Sequence, residues 1–177
     1  MKFLETDIPG VIAVGSEPSK DERGSFARTF CHQEFEEQGL VTTFVQWSTS
    51  FNRQRGTIRG MHYQSEPYPE TKLIRCTRGA IYDVVLDLRP DSPTYLGWTA
   101  TELSDSAPQM LYVPVGVAHG FQALSDDTEV SYYISEPYRP ESARGVRWDD
   151  PAFSIQWPLP VSTISERDCS YPDFASE

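Results

Sequence analysis

Proline and glycine interrupt this chain too often for long helices. Fourteen prolines and eleven glycines are scattered through 177 residues, and no long stretch is free of them. Proline removes a backbone donor and glycine relaxes the backbone, so each marks a turn or the end of an element. Between the breaks lie short runs rich in β-branched and aromatic residues: Val41–Ser48, Thr71–Thr77, Ala80–Leu88, Trp98–Leu103, Gln109–Val113 and Glu129–Ile134. Such runs read as strands. Turn signals at Arg78-Gly79, Arg89-Pro90-Asp91-Ser92-Pro93, Pro114-Val115-Gly116 and Ser125-Asp126-Asp127 separate them. A turn at roughly ten-residue intervals is the pattern of an all-β sandwich or barrel. Only Cys31–Gly39 reads as a helix, a short one near the N-terminus stopped by its glycine. No repeat or linker divides the sequence, so residues 1–177 are expected to form a single domain. The stretch from Trp148 onward, with Pro151, Pro158 and Pro160, is expected to wrap over a sheet.

Charge narrows the function. Asp and Glu number 26 against 15 Lys and Arg, a net charge of −11. Nucleic-acid binding needs a basic face, so that class is excluded. An anionic small molecule remains possible if a few cations are focused in a pocket. No apolar run reaches the length of a membrane span or of a signal peptide, and a cytoplasmic protein is expected. Cys31, Cys76 and Cys169 lack CxxC spacing and read as structural thiols in a reducing compartment.

Histidine is scarce. His32 sits among charged residues of the expected helix and reads as surface. His62 and His119 lie in dense clusters, Arg59-Gly60-Met61-His62-Tyr63-Gln64 and Pro114-Val115-Gly116-Val117-Ala118-His119-Gly120-Phe121. Two separated histidines, the first followed by Gln64 where a second ligand would stand, make a poor metal set, and no metal or other cofactor is expected. Asp83 and Asp87 are four positions apart on an expected strand and so share a face, lining a pocket or meeting water. No Ser/His/Asp spacing, GxSxG elbow or glycine-rich phosphate loop occurs. The remaining inventory is a base, a cation, a guanidinium, a phenol (Tyr132 or Tyr133) and several carboxylates. It suits proton abstraction next to a carbonyl.

Ordered motifs then sharpen the reading. Gly56-Thr57-Ile58-Arg59-Gly60-Met61-His62-Tyr63-Gln64 resembles the GxxRGxHxQ signature of dTDP-4-dehydrorhamnose 3,5-epimerases. Asp21-Glu22-Arg23-Gly24, Phe44-Val45-Gln46, Lys72-Leu73-Ile74-Arg75-Cys76 and Tyr82-Asp83-Val84-Val85-Leu86-Asp87-Leu88-Arg89 are similar to family motifs, in the same order. So are Ala118-His119-Gly120-Phe121, Gly145-Val146-Arg147-Trp148-Asp149-Asp150-Pro151 and Ser165-Glu166-Arg167-Asp168, and the resemblance spans about residues 8 to 170. It implies a cupin-type jelly-roll β-barrel, a homodimer, no metal, and a nucleotide diphosphate 4-keto-6-deoxyhexose as substrate. By position, His62 matches the general base, Asp168 its carboxylate partner, Tyr132 the acid on the opposite face and Lys72 the cation beside the enolate. Arg59, His119 and Tyr138 match substrate-binding residues. Arg23, Phe26 and Gln46 match nucleotide and diphosphate contacts, some of them presented to a neighbouring subunit's site.

The chain departs from the family at two points. Arg28 stands where a glutamate is common, and Trp47-Ser48 replaces Asp-Asn. By the resemblance both fall on the nucleotide side, which opens the choice of nucleotide. The rival readings are a C3-only epimerase on another nucleotide sugar, a 3,4-ketoisomerase of a related barrel that would not require Tyr132, and a binding module without activity. The last would be expected to lose the base or its partner, and both are present.

Overall fold

The computed structural model describes residues 1–107 and 109–174. Strands are β1 (Lys2–Glu5), β2 (Ile12–Gly15), β3 (Ser19–Asp21), β4 (Gly24–Phe26), β5 (Gln46–Asn52), β6 (Ile58–Gln64) and β7 (Lys72–Arg78). They continue with β8 (Ala80–Asp87), β9 (Trp98–Ser104), β10 (Gln109–Val113), β11 (Val117–Ala123), β12 (Thr128–Ile134) and β13 (Ala143–Gly145). The helices are α1 (His32–Glu37) and α2 (Glu166–Cys169). One sheet has the order β1-β2-β10-β7-β12-β5, the other β13-β6-β11-β8-β9, and β3 and β4 pair only with each other. Every pairing of named strands is antiparallel.

The two sheets stack face to face. Ile74, Cys76, Leu111, Val113 and Val130 of the first meet Ile81, Val85, Leu103, Val117 and Phe121 of the second. Neither outer face is left bare. Phe35 of α1 packs with Leu73, Met110 and Tyr112 on the back of the first sheet. Phe153, Ile155 and Trp157 cover Met61, Val84, Leu86 and Ala118 on the back of the second, so the C-terminal stretch does wrap over a sheet. Strands buried on both faces lose the polar alternation of a half-exposed strand. In β8 Ile81 and the five residues Asp83–Asp87 are buried, and Ala80 and Tyr82 are partly covered.

Three sequence expectations change, the first being that a second helix, α2, forms where only one was expected. Val41–Val45 is not a strand, and the strand there begins at Gln46 and runs to Asn52. Residues 41–45 alternate in burial, with Phe44 packed toward α1, but only Val45 makes a backbone bond to a neighbouring strand, its N–H donating to the Ile134 carbonyl of β12 at 2.9 Å. Asp83 and Asp87 do share the inward face, but neither lines the cavity nor meets water; both are fully buried. Asp87 accepts from Arg89, Ser92 and Thr94 and so pins the β8–β9 turn. His32 is exposed as expected. The three cysteines are free, with Cys76 buried, Cys31 half-buried and Cys169 exposed.

Candidate active site

A cavity of about 590 Å³ opens between the sheets at the end where β5, β6, β7, β11 and β12 converge. Inward residues of both sheets and the segment leading into α2 form its walls. His62 on β6 turns into it, directly opposite His119 on the neighbouring β11.

Asp168 reaches His62 from the C-terminal segment. His62 Nε2 lies 2.7 Å from Asp168 Oδ1, and Asp168 Oδ2 accepts the Gly60 N–H at 3.3 Å. Three local features set that geometry. A bridge between Thr57 and Thr163 ties the segment to the start of β6. Ser165 caps α2, its Oγ accepting the Asp168 N–H at 3.1 Å. Gly60 has φ +132°, and a Cβ there would lie 2.5 Å from Gly120 Cα, so only glycine lets β6 approach β11 with its N–H turned to the carboxylate. Burial alone would push the Asp168 carboxyl up. The bonds from His62 and Gly60 outweigh that and hold it below the ordinary carboxylate range. Asp168 is therefore an anion at neutral pH, and His62 Nδ1 is left without a protein partner among the described residues.

Lys72 begins β7 almost fully buried. Its ammonium donates to the His62 carbonyl at 3.1 Å and pairs with Glu70 at 2.9 Å. An ammonium has three N–H bonds, so one remains for a ligand. Tyr132 on β12 faces inward and shares a hydrogen bond with Ser50 Oγ at 3.2 Å. Burial pushes its phenol well above the usual tyrosine range, so it stays protonated. Tyr133 points to the opposite face, packed behind the sheet. His62 and Tyr132 thus belong to different sheets and look into the same space from two sides.

Cations rim the opening on a chain of net charge −11. Arg59 is aimed by Asn52 Oδ1 at 2.7 Å and the Phe51 carbonyl at 3.3 Å. Arg144 and Arg167 also line it. Gln46 accepts the Tyr138 N–H at 3.0 Å, and both side chains face the cavity. Among the described residues no three His, Cys, Asp or Glu side chains are grouped to hold a metal ion.

Residues 5–176 match the family model described as dTDP-4-dehydrorhamnose 3,5-epimerase. The chain belongs to that family. It is an isomerase, an epimerase of a nucleotide-linked 4-keto-6-deoxysugar. It is 45% identical to the dTDP-4-dehydrorhamnose 3,5-epimerase of Methanothermobacter thermautotrophicus, over 94% of this chain and 91% of that one. It is similar to the crystal structure of the Bacillus anthracis 3,5-epimerase with TDP and pyrophosphate bound, at TM-score 0.94 and 38% identity, covering 98% of this chain and 99% of that one. It is also 36% identical to a dTDP-4-dehydrorhamnose 3-epimerase of Streptomyces niveus, over 95% of this chain and 81% of that one.

In this epimerase the fold brings eight of the ten expected site residues into one cavity: His62, Lys72, Tyr132, Asp168, Arg59, His119, Gln46 and Tyr138. Arg23 and Phe26 stand apart. Both are on the β3–β4 hairpin, which pairs with no other named strand, and neither lines the cavity. Phe26 is 79% exposed, and Arg23 is paired with its own Asp21 at 2.6 Å. The departures from the family pattern also divide. Ser48 lines the cavity, but Trp47 lies on the back of β5 with its ring 5.0 Å from Tyr133, and Arg28 bonds Glu34. Sequence reading missed Ser50, Asn52, Glu70 and Arg144, for which no local signal exists. It quoted Ser165 and Arg167 only as motif letters.

Proposed function

We propose that the cavity epimerises a dTDP-linked 4-keto-6-deoxyhexose by moving protons on both faces of the sugar ring. His62, held by Asp168, removes the proton from the carbon next to the C4 ketone. The carboxylate fixes the imidazole tautomer and stabilises its protonated form. A carbon acid of this kind is too weak for imidazole alone. Lys72 meets the charge that develops on the ketone oxygen, and a preorganised donor of this kind lowers the barrier by about 3 kcal/mol. Inversion needs a proton from the other face, because a base that returns its own proton restores the starting configuration. Tyr132, protonated and on the opposing sheet, supplies it. The observation that carries this reading is the His62–Asp168 pair facing Tyr132 and Lys72 across one cavity.

Arg59, Gln46, His119 and Tyr138 hold the nucleotide sugar. Arg23 and Phe26 act in the site of a second subunit, so the working unit is a homodimer. The self-paired, exposed hairpin that carries them supports this, as do the unpaired outer edges of β1 and β5. The stacked antiparallel sheets with a site between them fit a cupin-type jelly roll, and the match over residues 5–176 supports one epimerase domain. Free thiols fit a cytoplasmic setting, and no helix among the described residues is long and apolar enough to cross a membrane.

A C3-only reaction is the second reading, favoured by the likeness to the 3-epimerase of Streptomyces niveus. Incubation with dTDP-4-keto-6-deoxyglucose in D2O decides between the two. Deuterium at C3 and C5 is the expected result; deuterium at C3 alone assigns the single-centre reaction. Exchange at neither carbon contradicts the proposal. The CDP-linked sugar run in parallel reports on the nucleotide, and activity is expected to survive EDTA.

A further inference from the structure

The geometry points to Asp83 as a positioning residue that keeps a proton against His119 Nε2, so that His119 presents Nδ1–H to the developing enolate oxygen. This rests on the epimerase reading above and adds a second oxyanion donor to it.

Asp83 on β8 and His119 on β11 are inward residues of adjacent strands, 2.6 Å apart at Oδ1 and Nε2. Asp83 is fully buried beneath the cavity wall, and its Oδ2 has no partner among the described residues. A carboxylate anion has room for several donors and here would receive one. Among the described residues no neighbouring cation donates to Asp83 Oδ2. Lys72 from β7 is matched by Glu70. Arg59 from β6 directs its hydrogens to Asn52 and the Phe51 carbonyl instead. Tyr132 from β12 is a neutral phenol, and His62 on β6 is matched by Asp168. A neutral carboxylic acid that donates its one proton to Nε2 leaves only a weak acceptor unpaired, so it suits this place better than an anion. Burial pushes the Asp83 carboxyl up, in the same direction, against the pull of His119 and Lys72.

A neutral imidazole that accepts at Nε2 must carry its own hydrogen at Nδ1. His119 Nδ1 has no protein partner among the described residues, and the ring lines the cavity. His119 is also the cross-strand neighbour of His62, whose carbonyl holds the Lys72 ammonium. Side chains so paired lie about 5 Å apart at Cβ. The ketone oxygen, two bonds from the carbon that His62 deprotonates, therefore comes within reach of both Lys72 and His119. Lys72 has only one N–H to give. His119 provides the second, and no proton changes place when it does.

Nitrogen NMR of 15N-histidine enzyme reads the state directly and does not depend on activity. The expected result is a neutral His119 ring at neutral pH, protonated at Nδ1 and bare at Nε2. An imidazolium, or a hydrogen on Nε2, overturns the proposal even if the epimerase reading stands. Two variants test the consequence. Asparagine can donate its amide to Nε2 as the acid does, so Asp83→Asn is expected to keep kcat within about fivefold of wild type. Asp83→Leu cannot, and kcat is expected to fall about 10²-fold with little change in KM, as when one oxyanion donor is lost. A 10²-fold loss in Asp83→Asn, or wild-type kcat in Asp83→Leu, contradicts it.

Discussion

The proposed mechanism rests first on a buried carboxylate paired with an imidazole. Asp168 is ionised because His62 and Gly60 donate to it. Asp168→Asn is expected to lower kcat by on the order of 10²–10⁴, because the imidazole loses its orientation and its counter-charge. Substrate binding measured by calorimetry should change little; a variant with wild-type kcat would remove Asp168 from the mechanism. The sign of the stability effect follows from the same depressed pKa. The pair stabilises the fold above the ordinary carboxylate range and loses that contribution as pH falls through the lower, folded value. At this scale the sequence offers candidate reacting residues but not what aims them. Tyr132 was singled out only by its position in the family resemblance, since the residues alone left Tyr132 or Tyr133 open. Its partner Ser50 was not, because the two meet only as diagonal neighbours once β12 pairs with β5 in the register that sets Tyr132 opposite Ser48. Likewise the even spacing of Asp83 and Asp87 shows a shared face, while which face it is depends on the second sheet.

Elements fail to show in the sequence where their support comes from outside them. Residues 41–45 have the alternation of a strand, but apart from the Val45 N–H on the Ile134 carbonyl they form no ladder with a neighbour. β6 and β11 are interrupted by Gly60 and Gly120, which weaken a strand signal, yet that pair of glycines is the close contact that turns the Gly60 N–H to Asp168. Gly60→Ala is expected to cost about 1–3 kcal/mol from the overpacked contact alone, with further strain from the positive φ. Urea unfolding measures this; an unchanged midpoint would contradict the contact. Helix α2 is four residues long and was not expected. The signal was present, since Ser165 followed three positions later by Asp168 is a capping-box spacing. A tail rich in prolines and charges hid it.

At the scale of the molecule the turn rhythm foretold an all-β protein, and the three layers of packing explain why the strands read as continuous apolar runs. The β3–β4 hairpin is the part that a single chain leaves without a purpose. If Arg23 serves the other subunit, two inactive variants should complement each other. Arg23→Ala and His62→Asn, mixed and allowed to exchange subunits, should recover about a quarter of the wild-type sites, because half the dimers are mixed and each holds one intact site. No recovery, with exchange confirmed by light scattering and labelled subunits, would keep Arg23 in its own chain or outside the site.

The account depends most on the division of labour between the sheets, with the base on one and the acid on the other. Tyr132→Phe leaves His62, Asp168 and Lys72 in place. In D2O this variant should still exchange the proton beside the ketone while forming little epimer, because the enolate is reprotonated from the side it left. The ratio of exchange to inversion should therefore rise by on the order of 10²–10⁴ over wild type. Tyr133→Phe, altered only behind the sheet, should keep the wild-type ratio. An unchanged ratio in Tyr132→Phe, or a shift confined to Tyr133→Phe, would contradict the two-faced mechanism.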